Sequence, residues 1–272
     1  MDKETFAEYA VRSTIDDTLQ EALDILDADD GKSFEEKKEA LIKHLQSHKE
    51  PVLADTLADL AIADKRGQQL KDTFWSSGEV TSKDASIVLR KVEDSDREVY
   101  LGLQKEYSIM KSMLNEQAYC DMAWNEHIEP KAIMLTILKD GAYIGYCGIK
   151  STAQKPWEIA IELLPQWTKQ GIGYQAITAM MESIAVRLGV TEFRVRIDPG
   201  NWASQKLFEK LGAQPNGISE FLIHDQDALK KVEEDNLHLI DEEIIALAAK
   251  FGVEARNLLS HVLEYTLVYR KN

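Results

Sequence analysis

The chain of 272 residues is poor in cysteine, has fewer basic than acidic residues, and contains no long apolar run. Its two cysteines, Cys120 and Cys147, have neither metal-ligand nor redox spacing, so both read as small buried apolar residues in a reducing compartment. No stretch approaches the ~18 uninterrupted apolar residues of a membrane span. The acidic opening MDKETFAEYAVRSTIDD lacks the apolar core of a signal peptide, and a cytoplasmic protein is expected. Lys and Arg number 32 against 47 Asp and Glu, a formal charge of -15. Nucleic acid and anionic membrane, which both need basic surface, are therefore excluded as main partners. The six histidines are scattered; His44 and His48, at i and i+4, lack the Glu of a zinc-protease motif and read as a solvated helix face. DADDG (27–31) has the wrong acidic spacing for a calcium loop. No metal cofactor is expected.

What is present describes a soluble globular protein, 44% hydrophobic and 29% charged. Residues 1 to about 74 read as helices. Phe6, Tyr9, Ala10, Ile15, Leu19, Leu23 and Leu26 recur at helical spacing; Ala40, Leu41 and Leu45 form a second stripe, and Leu53, Leu57, Leu60 and Ala61 a third that Pro51 opens. Residues 1–85 carry -9 of the net charge, which defines an acidic all-α domain over 1–80. WSSGEVTSKDAS (75–86) has the composition of a linker.

Beyond it the pattern becomes mixed. IVLRKV (87–92) reads as a strand, residues 94–113 as helix, and AIMLTIL (132–138) with AYIGYCGI (142–149) as a hairpin about the turn KDG. In WEIAIELL (157–164), Glu158, Ala160 and Glu162 alternate with Ile159, Ile161 and Leu163, as on a strand with two distinct faces. Ile177, Met181, Ile184, Ala185 and Leu188 stripe a helix that Gly189 caps. EFRVRI (192–197), ISEFLI (218–223) and residues 258–270 read as strands, with a short helix over 201–211 and a helical insertion over 224–257. His127, in AWNEHIEP, reads as part of a surface loop.

Between the strand at 157–164 and the striped helix lies TKQGIGYQA (168–176). A helix N-terminus offers unpaired amides and partial positive charge to an anion, and glycines allow the backbone to come close. The loop has neither the Lys-Ser/Thr of a Walker loop nor the third glycine of a dinucleotide fingerprint. Downstream, DPGNWASQKLFEKLGA (198–213) supplies a second element. Together the two resemble the loop Gln/Arg-x-x-Gly-x-Gly/Ala and the Asn-x-x-(Ala/Ser) helix of the GNAT superfamily of acyl-CoA-dependent N-acyltransferases. The resemblance covers residues 86–223 and the final strand, hence a domain over 86–272.

The resemblance implies an α+β fold: a mostly antiparallel twisted sheet flanked by helices, beside the N-terminal helical domain. It implies acetyl-CoA as co-substrate. Amides of Lys169, Gln170, Gly171, Ile172, Gly173 and Tyr174 would hold the pyrophosphate, and the strand end at Leu163 and Leu164 would pair with the pantetheine arm. Asn201 would contact the cofactor; as a helix cap it also has a purely local explanation. Glu158 and Glu162 are candidate bases on the strand that would carry the thioester, or solvated positions of an amphipathic strand. Phe208 stands where many members have the Tyr that reprotonates the thiolate, so that role moves to Ser204, to a hydroxyl such as Tyr146, or to water. Arg196 replaces a Glu of the branch that acetylates peptide amines, which argues against a protein N-terminus.

The expected activity is transfer of an acetyl group to a primary amine of a small molecule or side chain by direct attack. The acidity of the N-terminal part and of residues 224–257 predicts a cationic acceptor such as an aminoglycoside, polyamine or amino sugar. A homodimer is compatible with the sequence. The alternative is a non-catalytic acyl-CoA sensor whose helical part recruits a partner.

Overall fold

Period-two alternation and β-branched side chains set the strands, which lie where that pattern is clearest. The structure, a computed structural model, describes residues 24–26, 28, 30–48, 51–108, 111–221, 223 and 225–270. Of the helix expected from Phe6 to Leu26, residues 24–26 are described and are helical, and the rest lies outside the described residues. The chain divides into two compact units, Met1–Asp72 with Glu129–Lys131, and Thr73–Ile128 with Ala132–Asn272.

In the first unit, helix α1 (Phe34–His48) starts at a reciprocal cap. The Glu36 amide donates to the Ser33 hydroxyl at 3.3 Å, and the Ser33 amide donates to the Glu36 carboxylate at 2.7 Å. Helix α2 (Pro51–Trp75) begins on proline, whose missing N–H costs nothing in a first turn. Leu41 and Leu45 pack with Leu26, Ala58, Ala61 and Ile62 in a small core of their own.

The second unit is built on one sheet. Its strands are β1 (Val80–Thr81), β2 (Val88–Lys91), β3 (Ile133–Lys139), β4 (Ala142–Ile149), β5 (Trp157–Leu163), β6 (Glu192–Ile197), β7 (Gln214–Ser219) and β8 (Val262–Val268). They run in the order β1-β2-β3-β4-β5-β6-β8-β7. Every neighbouring pair is antiparallel except β5 and β6. Helices α3 (Arg97–Tyr107) and α4 (Gln117–Ile128) precede β3, α5 (Ile172–Leu188) joins β5 to β6, and α6 (Trp202–Lys210) joins β6 to β7. Helices α7 (Gln226–Asn236) and α8 (Glu242–Phe251) fill the connection between β7 and β8.

Several segments depart from the sequence expectation. The stretch read as a linker contains β1, a two-residue strand held by pairing to β2 rather than by propensity, with Val80 buried. The helix expected over 94–113 ends at Tyr107, and α4 follows where a loop was expected. Its signal is present in the sequence: Cys120, Ala123, Trp124, His127 and Ile128 fall on one helical face. His127 is accordingly buried in that helix and not on a surface loop. Strand β7 starts at Gln214 and ends at Ser219, earlier than ISEFLI suggests, because the pairing partners on β8 lie there.

Candidate active site

The one parallel junction opens the sheet. β5 pairs with β6 only at Trp157↔Phe193 and Glu158↔Arg194, whereas β4 stays paired with β5 from Ile149↔Ile159 to Gly145↔Leu163. From Ile159 to Leu163, β5 therefore has no strand on its second side among the described residues. A bulge at Ile137/Leu138 bends the hairpin beside this gap. There Gly145, at φ +155°, brings β4 so close that a Cβ would lie 2.2 Å from the Glu162 carbonyl oxygen. Only glycine fits that approach.

The chain then turns through Pro165–Trp167 into the glycine loop. Lys169 (φ +59°) and Gly171 (φ +80°) are left-handed, a turn that points successive amides one way. The Trp167 amide donates to the Leu164 carbonyl, the Thr168 amide to Pro165 and the Gln175 amide to Gly171. Among the described residues no backbone partner meets the amides from Lys169 to Tyr174. Six amides without a backbone partner and the positive end of a 17-residue helix thus follow the end of β5 in the chain. Helix α5 lies on the Ile161 face of the strand: a Cβ on Gly173 would be 3.5 Å from Ile161 Cδ1.

The opposite face carries Glu158, Ala160 and Glu162. Helix α3 covers its Glu162 end and is pinned there by a buried network. Arg90 donates to both oxygens of Asp96 at 2.7 and 2.8 Å, and the Thr136 hydroxyl donates to Asp96 at 2.7 Å. So fixed, Gln104 of α3 donates its side-chain amide to Glu162 Oε2 at 2.7 Å and lies 3.4 Å from the Tyr146 hydroxyl. Tyr107, one turn on, donates its hydroxyl to the Leu163 carbonyl at 3.0 Å. Tyr146 stands directly across the β4–β5 pairing from Glu162. Behind it, Tyr100 stacks on His127 at 4.1 Å, and His127 meets Tyr146 edge-on at 4.7 Å. Burial against this aromatic cluster pushes the Glu162 carboxyl up to about 7, against the lowering effects of hydrogen bonds from Tyr146 and Gln104 and of the Lys150 charge. Burial likewise raises the Tyr146 phenol.

Glu158 has a different environment. Lys150 Nζ lies 2.6 Å from its Oε1, and Arg196 Nε and Arg194 Nη2 lie 2.7 and 3.3 Å from its Oε2. Burial works to raise its pKa, but the cations together hold it below the usual carboxylate range. The two carboxylates that looked equivalent along one strand face differ in environment: burial raises Glu162 to about 7, and ion pairs hold Glu158 below the usual carboxylate range.

The second motif forms α6. Asn201 caps that helix, its side-chain oxygen accepting from the Ser204 amide at 3.1 Å. Ser204 is half-buried, and Phe208 is buried in the core. Leu163, Leu164 and the residues from Lys169 to Tyr174 lie on the continuous path from the open strand edge to the start of α5. The sequence reading missed Gln104, Tyr107, Lys150 and Arg194, which no motif marks and which only sheet pairing and helix docking bring to β5. Among the described residues, no group of three or more His, Cys, Asp or Glu could hold a metal ion, and no helix is long and apolar enough to cross a membrane.

A strand edge left open by its parallel neighbour, next to a glycine-started helix, defines the acyltransferase architecture that the sequence motifs suggested. The family model for the acetyltransferase (GNAT) domain matches residues 86–214, and the chain belongs to the GNAT acetyltransferase family. A relative from Bacillus subtilis (strain 168), named "Putative ribosomal protein bS18-alanine N-acetyltransferase", is 33% identical over 130 residues, which span 45% of this chain and 83% of the relative. Among solved structures, Mycobacterium smegmatis RimJ in complex with CoA-disulfide is 12% identical with a TM-score of 0.47, covering 70% of this chain and 86% of that one. A spermidine N-acetyltransferase chimera, from Vibrio cholerae SpeG and hSSAT, is 15% identical with a TM-score of 0.48, covering 67% and 95%.

Proposed function

We propose that this acetyltransferase moves the acetyl group of acetyl-CoA onto a primary amine by direct attack, with Glu162 as general base. The observation that carries the reading is Glu162 itself. It is a carboxylate raised to about 7, held by Gln104 and placed on the strand whose open edge adjoins the glycine loop. A base of that pKa is half ionised near neutral pH, where it can still take a proton from an ammonium.

The diphosphate of CoA fits the amides from Lys169 to Tyr174, and its extended arm fits the unpaired side of β5 up to Leu163 and Leu164. Backbone donors explain how a chain of charge -15 would hold a polyanion. Asn201 would face the same cofactor from the start of α6. In the reaction the ammonium gives a proton to Glu162, and the freed nitrogen attacks the thioester carbonyl carbon. As the carbon–sulfur bond breaks, the nitrogen sheds its second proton to become an amide, and the departing thiolate takes up a proton. Tyr146, across the strand pairing from Glu162, and Tyr107, bonded to the Leu163 carbonyl, are hydroxyls placed to supply it, and Ser204 on α6 is a third candidate. Glu158, already ion-paired to three cations, is left out of the proton transfer.

Isothermal titration with CoA and acetyl-CoA, followed by thiol release with a mixed amine panel, tests the reading. Micromolar binding and amine-dependent release that Glu162→Gln abolishes are expected. Absence of heat with either ligand would remove the basis of the proposal.

A further inference from the structure

We infer that the acceptor amine also bears a carboxylate, held by Lys150, Arg194 and Arg196 on the Glu158 end of the acceptor face. The inference rests on the acetyl transfer proposed above and names the class of amine that it would use.

Charge balance is the first observation. Three cations converge on one carboxylate, with distances of 2.6, 2.7 and 3.3 Å. Glu158 neutralises one of them, and Glu264, which faces Arg196 across the β6–β8 pairing, offsets a second, so that one positive charge remains in excess. The second observation is how they are layered. The Glu158 side chain is 7% exposed, whereas those of Lys150, Arg194 and Arg196 are 44%, 32% and 22% exposed. The anion is thus the floor of the cluster, and the cations are its open rim. Third, donors remain to be used. Arg194 Nε is buried without a hydrogen-bond partner. Arg196 spends Nε on Glu158 and one further nitrogen on the Glu220 carbonyl at 3.4 Å. Its guanidinium lies 5.4 Å over the exposed ring of Phe221, which fixes its plane. The nearby Glu220 carboxylate accepts from Gln226 at 2.7 Å, toward the start of α7.

The overall acidity of the chain argues for a cationic acceptor, but distance decides between the two effects. Exposed charges more than a Debye length away, about 8–10 Å at physiological salt, are largely screened. The cationic rim would touch the acceptor directly, and a partly buried pair is screened far less. Glu158 and Glu162 are four residues apart on one strand, about 13 Å along it. An acceptor placed with its amine at Glu162 therefore directs its far end toward the rim. An anion is favoured there, and a second ammonium is repelled.

Initial rates with saturating acetyl-CoA test this on three matched series: ω-amino carboxylates with three to seven methylenes, their amides, and the diamines of the same length. The carboxylates are expected to exceed both other series at least tenfold in kcat/KM, with most of the difference in KM. Lys150→Gln is expected to reduce the carboxylate-to-amide ratio at least threefold, with thermal unfolding confirming the fold. In the wild type, raising salt from about 0.05 to 0.5 M should compress the same ratio, a readout that needs no variant. If amides or diamines match the carboxylates, or if neither the variant nor salt alters the ratio, the carboxylate site is overturned and the acetyl transfer stands. If no amine of any series is acetylated, both readings fall.

Discussion

Gln104 and Glu162, 58 residues apart in the chain, meet at 2.7 Å where helix α3 crosses the end of β5. The bond fixes one carboxylate oxygen, Oε2. It also works against burial, lowering a pKa that the aromatic cluster raises. The group that results is poised near neutrality rather than neutralised outright.

Removing that base without changing its shape should disable the chemistry alone. Glu162→Gln is expected to lower kcat by roughly 10²–10⁴-fold, the usual contribution of a general base. CoA affinity, which the proposed binding assigns to backbone amides at the start of α5, should stay within twofold by calorimetry. A variant that retains full kcat would remove Glu162 from the mechanism.

The acidic limb of the pH–rate profile should report the same group. For wild type, kcat/KM is expected to rise with pH through a midpoint near 7 and level off about one unit above it, because the base works only when deprotonated. Gln104→Leu removes a donor that favours the carboxylate, so the limb should move to higher pH. Initial rates from pH 5.5 to 9 would show it; a shift downward would contradict the assigned role of Gln104.

The two strand carboxylates should affect stability with opposite signs. Glu162 has a folded pKa of about 7 against 4.5 for the free side chain, so the folded state binds its proton more tightly. Its cost to folding is absent below pH 4.5 and complete above about 7, where it reaches roughly 3 kcal/mol at most. Glu162→Gln should therefore raise Tm at pH 8 and leave it unchanged near pH 4. Glu158 is depressed instead, so its contribution is present above the unfolded value and is lost as pH falls through the folded one. Glu158→Gln leaves three cations facing one another and should cost about 3–5 kcal/mol at pH 8. Thermal melts of both variants at the two pH values would decide the matter; equal shifts would refute it.

At Gly171 the constraint is conformational, since nothing lies within 4 Å of where a Cβ would be, yet φ is +80°. Gly171→Val should destabilise by roughly 1–2 kcal/mol and weaken CoA binding, because a β-branched residue resists the left-handed turn. Gly171→Asn, which tolerates that conformation, should bind CoA nearly as wild type does. If both bind equally, the turn is not what presents the amides.

Asn201 can be tested as cap and as cofactor contact separately. Asn201→Ala should cost about 0.5–2 kcal/mol of stability through loss of the bond to the Ser204 amide, and Asn201→Ser should keep most of it. If CoA affinity falls in both, the side chain contacts the cofactor. If it falls only with the cap, its role is to position α6.

Much of this architecture is legible in the residues themselves. AYIGYCGI and EFRVRI form strands with the bounds their alternation suggests, and Ile172–Leu188 is a helix between two left-handed glycines. Such signals are local: a period of two or 3.6 and a cap residue need no partner to be recognised. Where pairing decides, the sequence falls silent. β1 is a strand only because Val80 and Thr81 lie against Leu89 and Val88, and β7 begins at Gln214 because Thr266 is opposite it. Helix α4 carried a readable stripe that was obscured by polar neighbours.

By itself the sequence determined the family motifs, the glycine loop and the shared face of Glu158 and Glu162, since these follow from order along one chain. Only the tertiary structure separated the two glutamates. Glu162 received an aromatic surround from β4 and from helices 35 to 62 residues away, with one amide donor from the same helices, and Glu158 received three cations from β6 and from the end of β4. An ionisable group takes its character from the dielectric and the charges around it, and those are set by packing, not by neighbours in sequence.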